Sequence, residues 1–484
     1  MIVILSIVIC PLLLKLAKRI YIGQPHTDKP IHRFAWLLLF FFIPLILFLV
    51  KYIIYYPTAF SPDSIVQYQQ VLTGSYIDWH PVMQTLLFIK LPLLLTGGWI
   101  GSITLFQIIV FSVILAYALY TIRTHTNALY AILAMLFIVL NPQTTNMAMY
   151  PWKDVSFAMG ALLLVTYALR IYFTSGDWIR HPLNLIAFIL TMALTTLMRH
   201  NALLFTIPLF IAIVFLINWE RTLIIVAGVI ILIVLIKIPL YSALHVEKAE
   251  DRQIETLGLP MNIIASVATY APDDLDEGTR AFAFQIASEE VWKEKYTYGD
   301  YNSVKWDERT NNDIIEEYGT SEVLSMALSC IKNSPSVSIK GLIHLTDAVY
   351  TVCDNYRYYD LPMVFENEYG ITQQGIPKLQ ELNENTTYRI YKYLPWIFMY
   401  LGSMHLILLI SILAKCRLNK WKDWKKILLI LPVFLYNFGT ALLLTSANDS
   451  SRFFYYTFLI LPTLLVFLYK EHERSPEDTI RKAS

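Results

Sequence analysis

HPVMQTLLFIKLPLLLTGG, residues 80–98, decides how this chain is threaded. The run is apolar enough to pass for a membrane span, but Lys90 and Pro92 stand inside it. Counted as a crossing, it reverses the side of every later loop. Counted as a helix lying in the membrane surface, it leaves them where they are. The basic residues arbitrate, because lysine and arginine accumulate in cytoplasmic loops. Lys15, Lys18, Arg19, Lys29, Arg33, Arg123, Arg180, Arg221, the run KCRLNKWKDWKK (415–426) and the tail from Lys470 share one side only if residues 80–98 do not cross. The stretch is therefore read as interfacial.

A chain that is 56% hydrophobic and only 15% charged lies outside the range of soluble proteins and reads as polytopic and membrane-embedded. Apolar stretches of about 17–25 residues, the length that crosses a ~30 Å hydrocarbon core as helix, recur near 34–55, 99–120, 127–140, 154–173, 183–197, 202–217, 223–241, 393–414, 427–445 and 453–469. A shorter run at 2–14 lacks the basic start and small-residue cleavage site of a signal peptide and is read as an extra span. The expected fold is thus all-α, with about 10–11 transmembrane helices. The near-zero net charge hides a segregation: residues 245–390 carry 25 acidic and 12 basic side chains, leaving 12 acidic and 26 basic for the rest. The expected organisation is a membrane core at 1–242, an acidic, mainly helical extracytoplasmic domain at 243–390, further membrane helices at 391–470 and a cytoplasmic tail at 471–484.

With that alternation, SPDSIVQYQQVLTGSYIDWHP (61–81), NPQTTNMAMYPWKD (141–154), MRHN (198–201), the polar domain and SANDSSRF (446–453) all face outward. Outside the polar domain only Asp63, Asp78, Asp154 and Asp449 bring carboxylates to that face. Charges near a bilayer are costly and mark function more often than chance. Asp63 has two readings, as the cap of a helix beginning near Ser64 or as a chemical group.

The combination PDSIVQ…DWHP, KDVSF and RHN, with SSRFFYYTFLILP near the end, resembles the GT-C superfamily of integral-membrane glycosyltransferases, near the protein mannosyltransferase and aminoarabinose transferase group. An acidic residue soon after the leading span, a proline-headed interfacial helix and a second acidic motif in the next outer loop carry the likeness, which is weak across the polar domain. The resemblance implies transfer of a sugar from a polyprenyl-phosphate donor to an extracytoplasmic glycan, lipid or protein acceptor, at the plasma membrane of a bacterium. It leaves a divalent metal, magnesium or manganese, open as cofactor, although Ser64 stands where many such enzymes carry a second acidic residue.

Such a transfer needs a base for the acceptor hydroxyl and positive charge where the phosphate leaves. Asp63 is the base candidate, and Asp154 is placed to hold the acceptor or to tune Asp63 as a nearby like charge. Arg452, Arg199 and Lys153 are the phosphate candidates, arginine because its planar guanidinium forks onto phosphate oxygens; anchoring at the membrane surface is the competing role of Arg452 and Lys153. Asp78, His80, His200 and Asn201 complete the expected substrate-binding set, the two histidines being equally readable as hydrogen-bonded structural groups. Neither histidine belongs to an HExxH or CxxC pattern. No nucleotide-binding loop or serine-hydrolase elbow occurs in a suitable setting, and nothing points to nucleic acid. In the polar domain, VWKEKYTYGDYNSVKW (291–306) offers aromatic faces that could stack on sugars. Two other classes compete. A polysaccharide polymerase or ligase would lean on arginine and histidine in its large outer loop, and a lipid transporter would show internal repeats and mid-membrane charges.

Overall fold

The computed structural model describes residues 9–12, 14–15, 21–22, 29–249, 255–350, 361–393, 401–468 and 470–471. Most of the span read at 2–14, the beginning of the span read at 393–414 and the C-terminal tail lie outside them. Apart from a two-residue pairing of Tyr21–Ile22 with Lys470–Glu471 and isolated bridges, regular structure in the described residues is helical.

In chain order, α1 (Pro30–Ile54) leads through α2 (Pro62–Thr73) and α3 (Val82–Leu95) to α4 (Gly101–His125), α5 (Ala128–Val139), α6 (Pro142–Met147), α7 (Lys153–Phe173), α8 (Pro182–Leu197), α9 (Leu203–Val214) and α10 (Trp219–Ala243). The polar region contains α11 (Gly258–Tyr270), α12 (Thr320–Asn333) and α13 (Pro335–Leu345) among shorter helices. After α14 (Pro377–Tyr393), the chain closes with α15 (Leu401–Leu418), α16 (Lys425–Leu443) and α17 (Tyr456–Leu468). Five of these, α1, α4, α7, α10 and α16, are long and apolar enough to cross a membrane. The chain is an α-helical membrane protein.

The geometry of residues 80–98 is set by their neighbours. The Tyr52 hydroxyl, in the last turn of α1, donates to the Gly101 carbonyl at the start of α4 (3.1 Å), and the Trp99 indole N–H donates to the Tyr56 hydroxyl (3.1 Å). The chain therefore leaves α1 and enters α4 at one end of the bundle, here called the connector end. At about 1.5 Å per residue α3 reaches roughly 20 Å, short of a ~30 Å core. Both of its flanks lie at that end.

Most helix bounds agree with the apolar stretches to within a few residues. α4 is the exception, outrunning its expected end at 120 as far as His125. The polar run there does not stop the helix, and the Thr121, Thr124 and Thr126 hydroxyls bond back to carbonyls of the preceding turn. Arg33 in the first turn of α1, Arg123 in the last of α4, Arg221 in the first of α10 and Arg417 in the last of α15 gather at the end remote from the connector.

Among the described residues the two largest apolar cores are separate. One joins α1, α4, α5, α7, α8, α9, α15, α16 and α17, with Phe48 of α1 stacked on Phe111 of α4 (5.1 Å). The other lies wholly within Leu257–Cys330. Into it sink Trp292, Tyr296 and Tyr301, which removes them as sugar-stacking faces; Trp306 of the same stretch is exposed. The two bodies meet at the end of α16. Gly258 presses on the Leu444 carbonyl where a Cβ would not fit. The Asn262 amide and the Tyr301 backbone N–H both donate to the Thr445 carbonyl (3.0 and 2.9 Å), and the Ala447 N–H donates to the Gly299 carbonyl (2.8 Å).

Cysteines introduced as Ser75→Cys and Thr96→Cys, both at exposed positions flanking α3, are expected to react with a membrane-impermeant thiol reagent from the same face of sealed vesicles. Labelling from opposite faces would make α3 a crossing.

Candidate functional site

The connector end gathers the starts of α2, α7 and α17 and the end of α8. Pro62 occupies the first turn of α2, where its missing N–H costs nothing, and the residue before it caps the helix. The Ser61 hydroxyl accepts from the Ser64 N–H (3.3 Å). The cap is thus Ser61, and the Asp63 side chain is directed elsewhere, to Arg452.

Arg452 is the hub. Its Nε–H donates to Oδ2 of Asp154 (2.8 Å) and its Nη2 to Oδ2 of Asp63, while Arg199 Nη1 donates to Oδ1 of Asp154. Two guanidinium groups therefore cover both oxygens of Asp154, and one of them reaches on to Asp63. Asp154 sits in the first turn of α7, where the helix terminus also favours negative charge. Asp154 and Arg199 are buried side chains, whereas Asp63 is 33% and Arg452 22% exposed. The closed half of the cluster faces the core and the open half faces outward.

Aromatic rings fix the guanidinium planes. Arg452 lies over the Trp152 ring (4.2 Å) and Arg199 over Phe453 (4.5 Å). Trp152 stacks on Tyr150 (4.0 Å, 8° between planes) and donates its indole N–H to the Ser61 hydroxyl (2.5 Å), so the cap of α2 and the floor under Arg452 are one unit. Behind them Gln67 of α2 donates to Gln84 and Thr85 of α3, and Gln84 donates to the Pro151 carbonyl (2.8 Å).

Lys153 and His80 line the next position. Lys153 Nζ is 3.4 Å from His80 Nδ1, making that nitrogen the acceptor and leaving any ring proton on Nε2. Burial, then the Lys153 ammonium, lower the pKa of His80 to about 3, so it is neutral at physiological pH. Burial alone would push the Asp63 carboxyl up. Arg452 and then Lys153 outweigh it and hold Asp63 well below the usual carboxylate range. The tuning of Asp63 is therefore by cations, the reverse of the like-charge effect expected from Asp154.

The remaining expected residues are peripheral to this cluster. Asp78 faces Lys237 of α10 (3.8 Å), the His200 ring donates through Nε2 to the Trp79 carbonyl (3.2 Å), and the Asn201 amide donates to the Thr440 hydroxyl (2.9 Å). The Asp449 side chain lies outside the described residues. Trp152, Ser61, Gln67 and Gln84 were missed by sequence reasoning; the signal for Ser61 is the proline next to it. Among the described residues no group of three or more His, Cys, Asp or Glu side chains is gathered as a metal would need. With both carboxylates engaged by guanidinium groups, the donor set does not fit a resident divalent metal.

No protein-family model, curated protein or solved structure matches the chain.

Removing one partner of a buried ion pair strands the other and costs ~3–5 kcal/mol, whereas partly exposed pairs contribute about 1 kcal/mol or less. Asp154→Asn is therefore expected to lower unfolding free energy in detergent micelles several times more than Asp63→Asn; equal losses would contradict the division into a closed and an open half. His80 supplies a pH signature. Its folded pKa lies below the ordinary 6.5, so the unfolded chain binds the extra proton first. Stability is expected to fall as pH drops from about 6.5 towards 3 and to be flat above. In His80→Gln that part of the slope should disappear.

Proposed function

We propose that this protein is an integral-membrane glycosyltransferase of GT-C type, moving a sugar from a polyprenyl-phosphate donor to an extracytoplasmic acceptor. The observation that carries the reading is Arg452, a guanidinium shared between a buried carboxylate and a partly exposed one at the end of an apolar bundle. A lipid-borne phosphate could reach such a site from the side while its chain stays among the helices.

The chemistry rests on an exchange of partners at Arg452. In the resting arrangement Asp63 is a poor base, because Arg452 and Lys153 stabilise its charged form. A donor phosphate presents oxygens that match the Arg452 fork as well as a carboxylate does. It takes the place of Asp63 there, while Asp154 keeps the Nε–H bond that holds Arg452 in position. Released from its cation, Asp63 regains basicity. It accepts the proton of the acceptor hydroxyl as that oxygen forms its bond to the anomeric carbon. The bond from that carbon to the phosphate oxygen breaks, and the negative charge gained by the leaving polyprenyl phosphate meets Arg452, with Lys153 nearby. Arg199 remains on Asp154 throughout. Deprotonation thus waits for donor binding.

Purified protein incubated with a panel of polyprenyl-phosphate sugars and an envelope glycan extract is expected to release free polyprenyl phosphate. Asp63→Asn should lower that rate by about 10²–10⁴-fold, the usual contribution of a positioned base, with donor affinity retained. Arg452→Ala should weaken donor binding as well. Wild-type turnover by Asp63→Asn would remove the base from Asp63, and no release from any donor by folded protein would remove the reading itself.

A further inference from the structure

The polar region carries an apolar face that its own core does not cover. α12 buries Val323, Met326, Ala327 and Cys330, yet leaves Leu324, Leu328 and Ile331 in the open, with Leu328 67% exposed. α13, next in the chain, buries Ser338, Gly341 and Leu345 and exposes Ile339 and Ile343. The spacings i, i+4, i+7 and i, i+4 draw one aliphatic stripe along each helix. Lys332 and Lys340 are exposed beside these stripes. Glu322, the acidic residue of α12, lies about 160° round the helix from Leu324. Aliphatic residues flanked by lysine are the composition of a helix lying at a lipid interface.

The place where α13 ends identifies the occupant of this face. Ala348 and Val349, just beyond the helix, are buried together with Ala441 of α16 and Phe454, so α13 ends against the membrane bundle. Phe434, packed on the same cluster, stacks on Phe438 (6.2 Å), which α16 turns outward along with Leu435. The cluster therefore borders the outward apolar face of a membrane-spanning helix, and α13 comes down to the bundle at that cluster.

We propose that α12 and α13 form a foot that rests in the boundary between headgroups and acyl chains of the bilayer the bundle crosses, with Lys332 and Lys340 on anionic headgroups. The polar region is then tethered to the membrane by a second contact, independent of the covalent links to α10 and α15. The inference rests on the membrane-protein fold and not on the proposed activity.

Nitroxides attached at Leu328→Cys and Ile343→Cys, in full-length protein reconstituted into vesicles containing phosphatidylglycerol, test it. Cys10, Cys330 and Cys416 are buried free thiols, and unsubstituted protein labelled in parallel gives the background. Collision with oxygen, which partitions into lipid, is expected to exceed collision with a water-soluble nickel complex several-fold at both positions. The reverse is expected at Glu308→Cys, an exposed control position in the same region. Labels at 328 and 343 as open to nickel as the control would overturn the foot. Spectra broadened by neighbouring labels, and sharpened on dilution with unlabelled protein, would assign the face to a second copy of the chain and overturn it as well.

Discussion

Everything at the connector end depends on how a buried carboxylate is neutralised. Asp154 is almost fully enclosed, and an uncompensated charge there would cost several kcal/mol. Arg199, next to the end of α8, and Arg452, just before α17, answer it from two separate helices. One ion pair would have satisfied the charge. The second guanidinium leaves donors to spare, and it is this surplus that reaches Asp63 and the open side.

The supports of that cluster are equally specific. Trp152 serves three neighbours at once: its ring lies under Arg452, its other face meets Tyr150, and its N–H holds Ser61. Gln84, from α3, grips both the Pro151 carbonyl and Gln67 of α2. α3 is therefore a structural brace. It wedges the first connector against the second and so sets the separation of Asp63 from Asp154.

Much of this was legible from residue types and their periodicity. Alternation of basic residues brought Asp63, Asp154, Arg199 and Arg452 to one end, because membrane threading is governed by a few charges and by span length. Their pairing was not legible, since it depends on contacts 45 to 389 residues apart in sequence. The competition at Asp63 between cap and chemical group could have been resolved beforehand: Pro62 prefers the first helical position, which makes Ser61 the cap. The aromatic stretch at 291–306 misled for a different reason. Tyrosine and tryptophan suit both a sugar platform and a domain core, and only packing reveals that Trp292, Tyr296 and Tyr301 belong to the core. Trp152 was overlooked because an aromatic at a membrane boundary ordinarily reads as part of an interfacial belt.

The contacts of the polar region with residues 445–447 bear on how the molecule comes to be made. Asp63 and Asp154 leave the ribosome first, Arg199 soon after, and Arg452 only once the polar region and α14–α16 have followed. Between them the polar region must fold, because its Asn262, Gly299 and Tyr301 hold the short link that delivers Arg452. Until then Asp154 has a single guanidinium and Asp63 has none. The residues just before α17 complete the electrostatics of the first connector, so a nascent chain halted before them would contain every other element of the cluster and still lack its keystone.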